Sequence, residues 1–142
     1  MSVRRFEQNV VQVMPDEPVV EVARRMRAER VGCVVIVRDG RPFGILTDRD
    51  LALRVVAEGR DPRGLLARDV MTYDPITLAR GLGIESASRL MREHGVRRIP
   101  IVDDDGALVG IVTADDLMSL FARELGDTAE ALLGGVDGGE SR

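Results

Sequence analysis

The sequence predicts an α/β (α+β) fold: two pseudo-twofold-related β-α-β-β-α units packed about one shared core. Three observations carry this. The chain repeats itself, each copy switches between helix-like and strand-like apolar patterning, and 142 residues at 44% apolar content are enough for one compact domain. A shift of 65 lays residues 11–39 over 76–104, and a shift of 66 lays 40–55 over 106–121. One extra residue in the Asp103-Asp104-Asp105 turn accounts for the change. Of these 45 aligned positions 13 are identical, so a whole supersecondary unit is duplicated, and two copies most simply bury one shared core about a pseudo-twofold axis.

Each copy reads in the same order. A short apolar strand (10–13; 76–78) leads through turn residues into an amphipathic helix. Val19, Val22, Ala23 and Met26, or Ile84, Ala87, Leu90 and Met91, share one face at spacings of three, four and seven. A β-branched strand follows (33–37; 98–102), then a polar turn containing Asp-Gly, which is a strong hairpin signal, and a second strand (43–46; 108–112). A helix closes each copy (48–57; 114–125). The expected organisation is an N-terminal segment 1–9, repeat 1 over 10–58, a linker 59–72 with a short helix at 65–71, repeat 2 over 73–125, and a Gly-rich tail 126–142 expected to be disordered.

Composition removes several function classes. Net charge is −4 and every basic residue is Arg, which argues against a general nucleic-acid binder while leaving local Arg clusters able to grip phosphate bidentately. No apolar run approaches the roughly 18 to 20 residues that cross a bilayer, so no membrane association and a cytoplasmic location are expected. Cys33 and His94 are the sole Cys and His, too few for a zinc site of about four ligands or for a disulfide. No Ser or Cys nucleophile stands beside a His, so no enzyme is expected. Asp103-Asp104-Asp105 ahead of a Gly reads as a turn, because calcium loops need wider ligand spacing. Arg24, Arg25, Arg27 and Arg30 read as the wet face of the first helix, and Cys33 as a small core residue.

The sharpest shared feature lies where the second strand meets the closing helix, at Gly44-Ile45-Leu46-Thr47-Asp48-Arg49-Asp50 and Gly110-Ile111-Val112-Thr113-Ala114-Asp115-Asp116. Thr-x-x-Asp is a capping box, in which Asp50 or Asp116 reaches back to a backbone N–H. The same positions could face a ligand, with hydroxyl and free N–H groups binding phosphate and the carboxylate accepting two ribose hydroxyls. A carboxylate held by the cap is less available to a sugar, so the two readings compete.

These residues resemble the cystathionine β-synthase (CBS) domain, which occurs in tandem pairs called Bateman modules. The resemblance covers residues 10 to about 125. It rests on Gly-Ile-x-Thr-x-x-Asp in both copies, on Arg97-Arg98-Ile99-Pro100-Ile101-Val102, and on Asp69-Val70-Met71 leading into Pro75-Ile76-Thr77. It implies two repeats packed through their sheets as a stand-alone regulatory module, with two clefts for adenosine nucleotides such as AMP, ADP or ATP, bound as regulatory ligands and not as required cofactors. In the second copy it points to Thr77, Arg97, Arg98, Ile99, Pro100, Thr113 and Asp116. In the first it points to Gln12, Val34, Thr47, Arg49 and Asp50. The first copy departs from the pattern, with Gln12 for Thr77, Gly32-Cys33 for Arg97-Arg98 and Val35 for Pro100, so one strong cleft and one weak or empty one are expected. It also lacks a match to Asp69-Val70-Met71, for which residues 6–10 are the candidate stand-in.

Surplus apolar residues on the closing helices, Leu53, Val55 and Val56 in the first and Met118, Leu120 and Phe121 in the second, predict a homodimer. The output is expected to act through that dimer or on a protein partner. The competing reading is a ligand-free interaction scaffold.

Overall fold

The computed structural model describes residues 1–7 and 10–140. Repeat 1 contains β1 (Gln12–Val13), α1 (Val19–Glu29), β2 (Cys33–Arg38), β3 (Arg41–Thr47) and α2 (Asp48–Leu51), which continues as a π-helical turn, Ala52–Val56. The linker supplies α3 (Ala67–Val70) and β4 (Thr72–Tyr73). Repeat 2 contains β5 (Leu78–Ala79), α4 (Ile84–His94), β6 (Arg98–Val102), β7 (Leu108–Thr113) and α5 (Ala114–Glu140). The β-α-β-β-α order stands in both copies, with the sheets in order β1-β2-β3-β4 and β5-β6-β7. In each, the first strand runs parallel to the second across the helix and the hairpin is antiparallel.

Strand alternation gives each sheet two apolar faces. On the helix side, Val34, Ile36 and Leu46 bury against Val22 and Met26, and Ile99, Ile101 and Val112 bury against Ala87 and Leu117. On the other side Val35 and Val37 meet Leu108 and Ile111, forming a third, smaller core between the sheets. The Leu108 N–H also donates to the Gly40 carbonyl at 2.9 Å, tying repeat 2 to the repeat 1 hairpin.

The flanking segments complete their repeats crosswise. α3 and β4 add to repeat 1, where Val70 and Ala67 are buried and Tyr73 pairs with Gly44. The N-terminal segment does the same for repeat 2. Val3 and Phe6, in a 3₁₀ turn (Val3–Phe6), enter its core, and Glu7 bridges to Gly110, the repeat-equivalent of Gly44. Glu7 also accepts two hydrogen bonds from Arg80, at 3.1 and 3.0 Å. The stand-in for Asp69-Val70-Met71 therefore lies at residues 3–7 and serves repeat 2, not repeat 1. Gly110 is required at that crossing, since a Cβ there would lie 2.5 Å from the Phe6 carbonyl oxygen.

The closing helices differ from expectation. α5 does not end at Leu125 but runs through the segment expected to be a disordered tail, as far as Glu140. Ala129, Glu130, Ala131, Leu132 and Leu133 are strong helix formers and carry it onward. Residues 141–142 of that tail lie outside the described residues. No helix among the described residues is long and apolar enough to cross a membrane.

Candidate functional site

The hairpin strands deliver Thr47 and Thr113 to the N-termini of α2 and α5, where both capping boxes form. Thr47 Oγ1 accepts the Asp50 N–H at 3.1 Å while Asp50 Oδ2 accepts the Thr47 N–H at 2.9 Å. In repeat 2 the equivalent distances are 3.0 Å and 3.3 Å. Asp50 is held further by Arg54, whose Nε lies 3.8 Å from Oδ1. Repeat 2 has the buried Leu120 in the place of Arg54. Asp116 Oδ1 therefore has no hydrogen-bond or ion-pair partner among the described residues.

A cleft of about 460 Å³ opens at this cap, with Arg97, Arg98, Thr113, Asp115 and Asp116 on one wall. Its other wall comes from repeat 1, through Arg30, Val31, Gly32 and Cys33. Arg97 is tied to Asp115 at 3.2 Å, with both side chains mostly exposed. No such ion pair holds Arg98, Arg30 or Asp116 among the described residues. Burial pushes the Cys33 thiol up from 9.0 to about 12, opposed by nearby Arg98 and reinforced by Asp50 and Asp48. A thiol this hard to ionise is a packing group at neutral pH.

The cleft gathers Arg30, Arg97 and Arg98 beside the open Asp116 oxygen. Arg guanidinium forks fit phosphate oxygens, and the open Asp116 oxygen can accept from a diol. In repeat 1, Gly32 stands where repeat 2 has Arg97, and the Asp48 carboxylate fills the space a side chain there would take: a Cβ on Gly32 would meet Asp48 Oδ2 at 3.0 Å. The first cap is thus edged by Asp48 and Asp50, with Arg49 exposed beside them. A model of the CBS domain matches residues 3–57 and 67–123.

The chain belongs to the CBS domain family. The CBS domain-containing protein YhcV of Bacillus subtilis is 41% identical over 108 residues, 76% of this chain and 76% of its own. An uncharacterised protein of Methanopyrus kandleri is 42% identical over 113 residues, 79% of this chain but 58% of that relative's length. Among solved structures, a CBS domain protein from Pyrobaculum aerophilum complexed with AMP matches with a TM-score of 0.74 at 28% identity, over 82% of this chain and 90% of that one.

Within this CBS pair the structure brings Arg97, Arg98, Thr113 and Asp116 to one cleft and leaves other expected residues away from it. Val34 and Ile99 are fully buried on the helix side of their sheets, because alternation turns their side chains away from the cap. Pro100 lies opposite Ile111 in the hairpin register and shares its inter-sheet face. Gln12 and Thr77 are exposed and do not line this cleft. Thr47 and Asp50 hold their own cap.

Arg30 was legible only as wet surface and instead lines the cleft. It caps the C-terminus of α1 in the left-handed region at φ 56°, where the equivalent residue after α4 is Gly95 at φ 64°. A pattern search finds the Gly95 cap but has no signal for an Arg in its place. The Asp103 carboxylate accepts the Asp105 and Ala107 N–H groups, both at 2.9 Å, as a turn residue does.

Proposed function

We propose that the protein is a regulatory module that senses an adenosine nucleotide, AMP, ADP or ATP, in the second cleft. It works as a homodimer and reports binding by a change of shape or of partner affinity. One observation carries this reading. Arg97, Arg98, a Thr hydroxyl and an Asp carboxylate with one uncommitted oxygen converge on a single cleft. The guanidinium groups suit phosphate and the carboxylate suits the ribose diol. The AMP complex of the related Pyrobaculum aerophilum protein supports the choice of ligand. To act as a signal the nucleotide must bind two arrangements unequally, since equal affinity shifts nothing.

Thermal unfolding against AMP, ADP, ATP, cyclic nucleotides, NAD and S-adenosylmethionine tests the reading. At a hundredfold excess over Kd, mass action gives about 2.7 kcal/mol of stabilisation, a shift of several degrees. The expected result is a shift lost in Asp116→Ala and kept in Asp50→Ala.

A ligand-free interaction scaffold is the second reading. It is favoured by the closed capping boxes and by exposed apolar side chains on the closing helices, among them Val56 and Met118. A stable dimer with no shift from any ligand would select it.

A further inference from the structure

We propose that a corner of repeat 1, at the far end of its sheet from the cleft, binds a short acidic segment of a protein partner. An apolar side chain of that segment enters a pocket there, and its neighbouring carboxylates meet Arg38 and Arg68. This goes beyond the sensing reading and does not depend on nucleotide binding. The pocket has a volume of about 410 Å³ and forms where β1 ends, the β2-β3 hairpin turns and α3 crosses them. Met14, Pro15 and Phe43 give it an apolar lining, and the exposed Arg38 and Arg68 edge it. Cys33, the first residue of β2, lines the nucleotide cleft, whereas Arg38, the last, lines this pocket. Roughly 16 Å of strand separates them, at about 3.3 Å per residue.

The walls are fixed by backbone. The Arg68 N–H donates to the Pro15 carbonyl and the Asp74 N–H to the Phe43 carbonyl, both at 3.0 Å. Tyr73, 67% exposed, meets the Phe43 ring edge-on at 5.2 Å, and the Arg38 guanidinium lies 5.4 Å from the centre of that ring. This cation–π contact holds Arg38 beside the pocket without neutralising it. Neither Arg38 nor Arg68 makes an ion pair among the described residues. Asp16 shares the rim and makes none either, which leaves one net positive charge there.

The corresponding corner of repeat 2 shows what such a place takes. Arg80 stands there at the position of Pro15, and Glu7 answers it with both carboxylate oxygens, at 3.1 and 3.0 Å. That carboxylate comes from a segment outside the repeat. Glu7 crosses at Gly110, but the residue that crosses at Gly44 in repeat 1 is Tyr73. Repeat 1 thus offers two arginines and an aromatic surface where repeat 2 has a closed ion pair, and its flanking segment brings no carboxylate to them. Repeat 2 also has the smaller Ala79 and Val109 for Met14 and Phe43, and Asp103 for Arg38. Exposed Arg, Met, Phe and Tyr together are the side chains enriched where proteins meet, and charges at the rim select the sign of the partner.

The full chain, labelled with nitrogen-15, is titrated with the peptide acetyl-Gly-Asp-Phe-Asp-Gly-amide, and NMR amide shifts read the binding. Shifts are expected at Met14, Phe43, Arg68 and Tyr73. Binding is expected to weaken at least tenfold when both Asp of the peptide become Asn, and equally in the double variant Arg38→Glu, Arg68→Glu. Both arginines are exposed, and circular dichroism checks that the variant folds. It is expected to bind the peptide with Lys in place of Asp more tightly than the unaltered chain does, because the rim charge is reversed. No binding of the Asp peptide at millimolar concentration overturns the proposal, as does equal binding of the Asn peptide. Shifts confined to Arg98 and Asp116 overturn it as well, by placing the peptide in the nucleotide cleft. If 3-phenylpropionate binds this corner as tightly as the peptide, the partner segment is overturned in favour of a small carboxylate ligand.

Discussion

Asp50 and Asp116 occupy equivalent places in the two repeats, yet Asp50 is held at 2.9 Å by its own cap and flanked by Arg54, while Asp116 reaches its cap at 3.3 Å and has no arginine behind it. The same motif is therefore a structural element in repeat 1 and a more open one in repeat 2. Losing a helix cap costs about 1 kcal/mol. Asp50→Ala is expected to lower stability by about that much, and Asp116→Ala by less, as read from urea midpoints at unchanged slope. Under the sensing reading, ligand response runs in the opposite order and is lost only in Asp116→Ala.

Arg30 holds a left-handed backbone that costs a non-glycine residue about 1 kcal/mol, at a site where repeat 2 uses Gly95. Arg30→Gly relieves that strain but frees the unfolded chain, so a net gain of about 0.5 kcal/mol is expected. Because the guanidinium lines the second cleft, the same variant is expected to bind ATP less tightly while melting higher. Calorimetric titration beside a thermal melt reads both effects.

Much of the fold was legible because the repeat imposes it. Identical pairs such as Gly44/Gly110 and Asp50/Asp116 fix the register of two β-α-β-β-α units before any element is assigned. The orientation of Val34 and Ile99 was not legible. Both faces of these strands are apolar, one toward helices and one toward the other sheet, so alternation gives no polar residue to mark the cleft side. The crosswise use of residues 1–7 was hidden for a different reason. Its partners Leu82, Ile84 and Gly110 lie far along the chain, and a four-residue turn leaves no periodic signal. Motif reading singled out Arg97, Arg98, Thr113 and Asp116, which the structure gathers at one cleft, but gave no reason for Gly110, which the Phe6 backbone supplies.

The N-terminal segment is part of the second core, so Phe6→Ala is expected to cost about 3 kcal/mol, in the range for a buried Phe truncation. Native-state hydrogen exchange should show the loss first in β7 and α4, with β2 and β3 less affected. Gly110→Ala is expected to be worse than Gly44→Ala. The added methyl group meets backbone at Phe6 and Glu7 in the first case, whereas in the second its nearest neighbour is the flexible Met71 side chain. Matched urea curves of the two variants decide this, and equal losses would mean that the Phe6 backbone can move aside.

Cys33 gives the pH dependence. Its thiol is pushed up from 9.0 to about 12, chiefly by burial. The folded state therefore holds a proton that the unfolded chain releases, and this contribution to stability is intact below pH 9 and falls as pH rises toward 12. At pH 8 roughly one folded molecule in ten thousand carries the thiolate, so alkylation of the native protein by iodoacetamide should be slow. Cys33→Ala is expected to flatten the decline of stability between pH 9 and 11 relative to the unaltered chain, measured by urea unfolding at each pH. Fast alkylation of the native protein at pH 8, or an unchanged decline in Cys33→Ala, would show that burial does not hold the thiol protonated. In that case Arg98 and the two carboxylates, not burial, would govern the thiol.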